Sequence, residues 1–338
     1  MAPVNVAVLV SGGIAETILA TPLLATLRAG DPEGQHTLLC PHSAGVIADG
    51  LPGATTVVPL RALDGRLTLG GAARAWLELR RRRLEAVAVC PPSVPALLAA
   101  FCSGIPQRVS NARGVERVLC SATAASPITE NVARSWIRLA GLLGIRGEQH
   151  RPHFDPGEQA AQQADWLLGS SALADGRLLI AIAPGSGFAE HRTGVQLDWE
   201  PERYAHVANQ LAIRHGAGIA LVGSPADRGM IERVKLDLGA EVIDLSTASD
   251  PRTLAALLAR CDLLVGGDTP LLHLAAAVGT PTVGLFGRTD GVRLGPYGPD
   301  HRIIQALGTR MDGHVAAEAA SMDQIRVEDV LASIESTF

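Results

Sequence analysis

The stretch Gly266-Gly267-Asp268-Thr269-Pro270-Leu271-Leu272-His273 holds the densest set of residues able to do chemistry. Thr269 is a good helix cap and Pro270 suits the first helical position. The amides from Leu271 onward would then head a helix without intrahelical partners. Such an end, with its positive dipole, is a natural seat for a phosphate. His273 falls one turn in and can donate a hydrogen bond beside that seat, whether neutral or charged. The same residues also read as an ordinary helix start, with Asp268-Thr269-Pro270 opening it and His273 at a partly exposed surface.

Three further loops follow apolar runs. In Pro184-Gly185-Ser186-Gly187, Ser186 and Gly187 offer small side chains and free amides. In Gly223-Ser224-Pro225-Ala226-Asp227, the carboxylate of Asp227 falls in the first turn of the next helix. There it can accept two ribose hydroxyls, or simply balance the helix dipole. Near the N-terminus, Ser11-Gly12-Gly13-Ile14-Ala15-Glu16 sits where a dinucleotide fold would carry G-x-G-x-x-G. Its glycines are adjacent and position 15 is alanine, which argues against a nicotinamide dehydrogenase. Gly12 and Gly13 still let a ligand approach the backbone closely. Glu16 opens a helix there, either as a proton acceptor or as a dipole partner.

The elements that must position these loops alternate in type. Apolar runs at 4–10, 36–40, 55–58 and 86–90 read as strands between helical stretches, including 16–27, 72–82 and 95–102. Pro22 is expected to kink the first of these helices. A long helix at 130–143 leads into a polar, proline-bearing linker at 144–156. The alternation then restarts, with strands at 178–183, 218–222, 241–244, 263–266 and 281–285. Helices are expected at 201–214, 226–238, 251–260, 270–278 and 327–336. Strands spaced by helices imply parallel sheets. The expected fold class is α/β, with two Rossmann-like doubly wound domains facing across a cleft. Residues 1–150 form the first domain and 151–322 the second. The terminal segment 323–338 is expected to pack back on the first domain.

Composition narrows the partners. The 338 residues are 47% hydrophobic and carry a net charge of −5, which excludes disorder as the main state. With 29 basic against 34 acidic residues, nucleic acid is not an expected partner. The cysteines Cys40, Cys90, Cys102, Cys120 and Cys261 are scattered, with no C-x-x-C, and read as buried small hydrophobes in a reducing compartment. No run of about 18 uncharged apolar residues is present, and the first residues lack the basic region of a signal peptide. A cytoplasmic protein is expected. The run Arg80–Arg83 reads either as a solvated helix C-terminus or as a contact for an anionic surface.

Three segments resemble one family. GGDTPLLHLAAAVGTPTVGLFGRTD is similar to the signature D-T-G-x-x-H-x-A-A-x-x-G-x-P-T-V-x-L-F-G-P-T-D of glycosyltransferase family 9, the heptosyltransferases of lipopolysaccharide assembly. SGGIAETILATPLLATLRA resembles that family's L-G-A-L-G-D-x-I-L-A-T-P-L-L-x-A-L-R. DWEPERYAHVANQL is similar to its R-W-P-x-E-R-F-A-x-L stretch. The resemblance runs from about Val4 to the last helix.

It implies a GT-B fold and inverting transfer without a metal or other cofactor. The donor would be a nucleotide sugar, ADP-linked or another, held mainly by the C-terminal domain. The acceptor would be a hydroxyl of a glycan, a glycolipid or a small natural product, with peripheral membrane contact. Carried over by position, Asp227 binds the ribose, while Asp268, Thr269 and His273 bind phosphate and sugar. The catalytic carboxylate falls on Glu16, one methylene longer than the family's Asp. Pro270 replaces a glycine and removes one amide. Leu197, two places before Trp199, replaces a phosphate-neutralising lysine. His191 or Arg192 can supply that charge, or both are solvated. Two other classes stay open: a GT-B-fold nucleotide-sugar isomerase and a non-catalytic nucleotide-sugar binder.

Overall fold

In a computed structural model of the chain, the described residues are 4–63, 66–147, 150–169, 177–185, 199–239, 241–246, 250–311, 314–316 and 321–336. They form two compact units, Met1–Phe154 and Asp155–Phe338.

The N-terminal unit holds β1 (Val6–Val10), β2 (His36–Pro41), β3 (Thr56–Leu60), β4 (Ala86–Cys90), β5 (Gln107–Ser110) and β6 (Ala122–Thr123). They pair throughout in parallel, in the order β3-β2-β1-β4-β5-β6. Its helices are α1 (Ile14–Leu19), α2 (Thr21–Gly30), α3 (His42–Ala48), α4 (Leu69–Arg81), α5 (Val94–Cys102) and α6 (Val132–Leu142).

In the C-terminal unit, β7 (Leu179–Ala183), β8 (Gly218–Leu221), β9 (Val242–Asp244), β10 (Leu263–Gly267), β11 (Thr282–Phe286) and β12 (His301–Gln305) repeat the plan. Their order is β9-β8-β7-β10-β11-β12, again parallel. Around them run α7 (Glu158–Gly169), α8 (Pro201–His215), α9 (Arg228–Leu236), α10 (Pro251–Leu258), α11 (Pro270–Ala277), α12 (Gly291–Leu294) and α13 (Val327–Glu335). Both sheets thus have the doubly wound order whose direction reverses beside the first strand, which creates a crevice at the strands' carboxyl ends. Central strands such as VAVLV and LIAIA are buried at every position. A parallel sheet covered on both faces requires such runs.

Three expectations need correction. The helix expected at 16–27 is two helices meeting at Ala20. Pro22 has no N–H for the carbonyl of Ile18, and the Thr21 hydroxyl donates to that carbonyl instead at 2.7 Å. The last helix, expected to pack back on the first domain, lies in the core of the C-terminal unit. In α13, Val330, Leu331 and Ile334 enter the core of the C-terminal unit with Ile180, Trp199 and Leu263. Trp199 Nε1 and Arg203 Nη1 donate to the carbonyl of Ile325 at 3.0 and 2.8 Å, which fixes the approach of α13. Burial of each α13 side chain contributes about 1.5–3 kcal/mol, so the helix stays with the unit whose groove it fills. Finally, Cys102 is exposed and Cys120 half-buried, whereas Cys40, Cys90 and Cys261 are buried as expected. Burial pushes the thiols of Cys40 and Cys261 up to about 12, which leaves them unreactive at neutral pH.

Candidate active site

Each unit presents its chemically useful residues at the reversal point of its sheet. In the N-terminal unit, β1 and β4 pair up to Val10 and Cys90. The loops beyond them are tied where Ser11 Oγ donates to the carbonyl of Pro91 at 2.8 Å. Gly12 and Gly13 follow, both buried. Half-buried Glu16 folds back on this turn, and its Oε2 accepts the Gly13 N–H at 2.8 Å. The turn needs glycine at position 12, because a Cβ there would stand 2.5 Å from Glu16 Cγ. The carboxylate and the glycine pair are therefore one packed unit, which their sequence proximity alone does not reveal.

In the C-terminal unit, β7 and β10 flank the reversal point and β8 lies beside β7. The loop after β8 turns through a short 3-10 segment, Pro225–Asp227, before α9. Asp227 is 4% exposed, and its Oδ2 accepts from both the backbone N–H and the hydroxyl of Ser224 at 2.7 Å. This is a capping box. Its carboxylate also packs against Gly185 in the loop after β7, where a Cβ would come within 2.0 Å of Oδ1. Asp227 thus joins two loops of the crevice while satisfying a helix start.

The loop after β10 leads into α11 (PLLHLAAA), a helix apolar on nearly every side and correspondingly buried. Thr269 is its N-cap, in extended conformation, with Pro270 at the first helical position. The Thr269 side chain is 3% exposed, yet it makes no cap bond, and Oγ1 has no hydrogen-bond partner among the described residues. A buried hydroxyl in that state costs about 1–3 kcal/mol. Asp268 is half-buried beside it, and Leu271 is buried. His273 is 2% exposed, which removes the reading of a partly exposed surface histidine.

Sequence reasoning missed two cations at this end of the sheet. Arg228 opens α9 and is exposed. Arg288 lies in the loop after β11, and Gly267 of β10 pairs with Leu285 of β11. Gln305 pins that loop: its Nε2 donates to the carbonyls of Phe286 and Gly287 at 3.0 and 2.6 Å, and its Oε1 accepts from Gly291 N–H at 2.9 Å. Gly287, Thr289 and Asp290 are buried, so Arg288 is an exposed cation on a held loop. The signal was present in GLFGRTD, where an arginine stands in place of the proline in the family pattern. Ser186, Gly187, His191, Arg192 and Leu197 lie outside the described residues.

A sequence profile described as glycosyltransferase family 9 (heptosyltransferase) matches residues 73–319. The chain is 25% identical over 307 residues to lipopolysaccharide heptosyltransferase 2 of Salmonella typhimurium, covering 87% of this chain and 86% of that protein. Its fold is similar to that of a family 9 glycosyl transferase from Veillonella parvula, with a TM-score of 0.81 at 22% identity over 99% of this chain and 97% of that one. It is also similar to the ADP-heptose lipopolysaccharide heptosyltransferase II of Escherichia coli, with a TM-score of 0.74 at 21% identity over 98% of each chain. The doubly wound α/β pair is thus the GT-B architecture of these heptosyltransferases. With the profile spanning most of its length, the chain belongs to glycosyltransferase family 9 and is a glycosyltransferase.

Proposed function

We propose that the protein is an inverting, metal-independent glycosyltransferase that moves a heptose-like sugar from an ADP-linked donor to a hydroxyl of a glycan, glycolipid or small natural-product acceptor. The observation that carries this reading is the buried Thr269 hydroxyl at the head of α11, which has no partner among the described residues. A buried donor in that state is matched by an anionic oxygen, and the helix end adds free amides and dipole. The names of the relatives support a heptose as the sugar and ADP as the carrier.

In this mechanism the acceptor hydroxyl attacks the anomeric carbon and Glu16 takes its proton. The bond from that carbon to the diphosphate oxygen breaks, and the electron pair leaves with ADP. The α11 terminus, Thr269 and His273 stabilise the charge that grows on the diphosphate. Arg228 and Arg288 add cations, and Asp227, Asp268, Pro270 and Leu271 line the donor side. One displacement inverts the anomeric centre.

The test is release of ADP from ADP-heptose, with and without a hydroxyl acceptor, in the presence of a chelator. Release that needs the acceptor and survives the chelator supports the reading. A changed sugar without release would make the protein an isomerase, and binding without either would make it a non-catalytic binder.

A further inference from the structure

The head of α11 meets an anion with fewer groups of its own than a full helix start would offer. Pro270 has no N–H, so the free amides begin at Leu271. Position 197 is leucine and supplies no charge. What the site does hold is the buried Thr269 hydroxyl, which has no partner among the described residues. A hydroxyl and amides can seat an anion, but charge that grows as a bond breaks calls for a fixed cation beside them.

Two exposed arginines stand at this end of the sheet, and the strand ladder separates them. β10 and β11 are neighbours, with Gly267 beside Leu285. Thr269 and Arg288 lie two and three residues beyond that pair, on loops whose roots are about 4.8 Å apart. Arg228 follows β8, and β7 stands between β8 and β10, so its loop starts at about twice that spacing. The ladder therefore sets Arg288, and not Arg228, next to the head of α11.

The backbone around Arg288 is fixed while its side chain is not engaged. Gln305 Nε2 donates to the carbonyl of Gly287 at 2.6 Å, and Thr289 and Asp290 on the other side are 4% and 0% exposed. Asp290 Oδ1 accepts from the N–H groups of Val292 and Arg293 at 3.1 and 3.4 Å and so caps α12. The Arg288 guanidinium has no hydrogen bond or ion pair among the described residues. A planar fork on a held loop matches two oxygens of a phosphate at once.

We propose that Arg288 is the catalytic cation of this chain: it grips the diphosphate seated by Thr269 and the α11 amides, while Arg228 stays toward the nucleoside beside Asp227. The assignment rests on the nucleotide-sugar reading of that seat. When the bond to the anomeric carbon breaks, the electron pair stays on the diphosphate oxygen. Arg288 meets that charge without giving up a proton, and its hold strengthens as the barrier is climbed.

The test is calorimetry of the full chain with inorganic pyrophosphate and with ADP, paired with initial rates of ADP release from ADP-heptose. Arg288→Gln should weaken both ligands about 10-fold to 100-fold, the range for a charged hydrogen bond, and should lower kcat as well. Arg288→Lys keeps the charge but not the fork and should fall between. Arg302→Gln removes the same charge from β12, beside Val283 and away from the strand ends, and should behave as wild type. Thermal unfolding should be unchanged in all three variants, because both arginines are exposed. If the wild-type chain binds pyrophosphate but not ADP, and Arg288→Gln loses the pyrophosphate, the proposal stands and only the ADP assignment falls. Pyrophosphate affinity in Arg288→Gln within about twofold of wild type, an equal loss in Arg302→Gln, or a wild-type chain that does not bind pyrophosphate would each overturn the proposal.

Discussion

Replacing Gly12 by alanine tests Glu16 without touching its carboxylate. The new Cβ would stand 2.5, 2.6 and 2.7 Å from Glu16 Cγ, Cδ and Cβ. Carbon atoms settle at about 3.5–4.0 Å, so the Glu16 side chain must withdraw by roughly 1 Å. That breaks its 2.8 Å bond with the Gly13 N–H, a loss of about 1 kcal/mol in stability. The catalytic loss should be larger, because a misplacement of ~1 Å can cost about 100-fold, or ~2.7 kcal/mol in the barrier. Initial rates of ADP release, with kcat and KM separated, should show kcat down about 100-fold and donor KM unchanged. Glu16→Gln keeps the oxygen that accepts from Gly13 and cannot take a proton, so it should lower kcat by about 10²–10⁴. If Gly12 acts only through Glu16, the double variant should be no slower than Glu16→Gln alone. Two results would refute the reasoning: a Gly12→Ala kcat within about twofold of wild type, or losses that multiply in the double variant.

Thr269→Val should leave stability unchanged or raise it by up to ~1 kcal/mol, since the lost hydroxyl has no partner among the described residues. ADP affinity, measured by calorimetry, should fall about fivefold to tenfold; destabilisation with unchanged affinity would assign the hydroxyl to the fold. Asp227→Ala breaks the bonds from Ser224 and should cost about 1 kcal/mol in denaturant unfolding. ADP binding should weaken by a further 1.5–3 kcal/mol, and full affinity in the variant would leave Asp227 a helix cap only. For His36, burial holds the imidazole pKa below 6.5, with Arg28 acting in the same direction and Asp31 opposing. The fold therefore favours the neutral ring, and the unfolded chain binds the extra proton. Stability should decline as pH falls below about 6.5 and continue to fall toward the lower native value. Unfolding curves of His36→Leu over the same range should lack that component; an identical pH dependence would show that His36 does not titrate on unfolding.

Much of the scaffold is legible in the residues themselves. Runs such as AVAVC and LLVGG can only be strands buried on both faces, and Pro201, Pro251 and Pro270 each open a helix. A parallel sheet brings every strand-ending loop to one edge. The alternation of strands and helices therefore suffices to put Gly12–Glu16, Gly223–Asp227 and Asp268–His273 at carboxyl ends. Short or edge strands are different. QRVS and HRIIQ carry little apolar signal, and only pairing with β4 and β11 makes them strands. The destination of α13 was equally open, because an amphipathic stripe fits any apolar groove; Trp199 and the carbonyl of Ile325 select it. The state of each candidate group was likewise decided by the tertiary structure. Glu16 rests on Gly12, Asp227 is shared between Ser224 and the turn at Gly185, and His273 is buried within α11. Residue type and local spacing set which chemistry is available, because both act over a few bonds. Burial, partners and distances depend on segments far apart in the chain, and only their packing determines them.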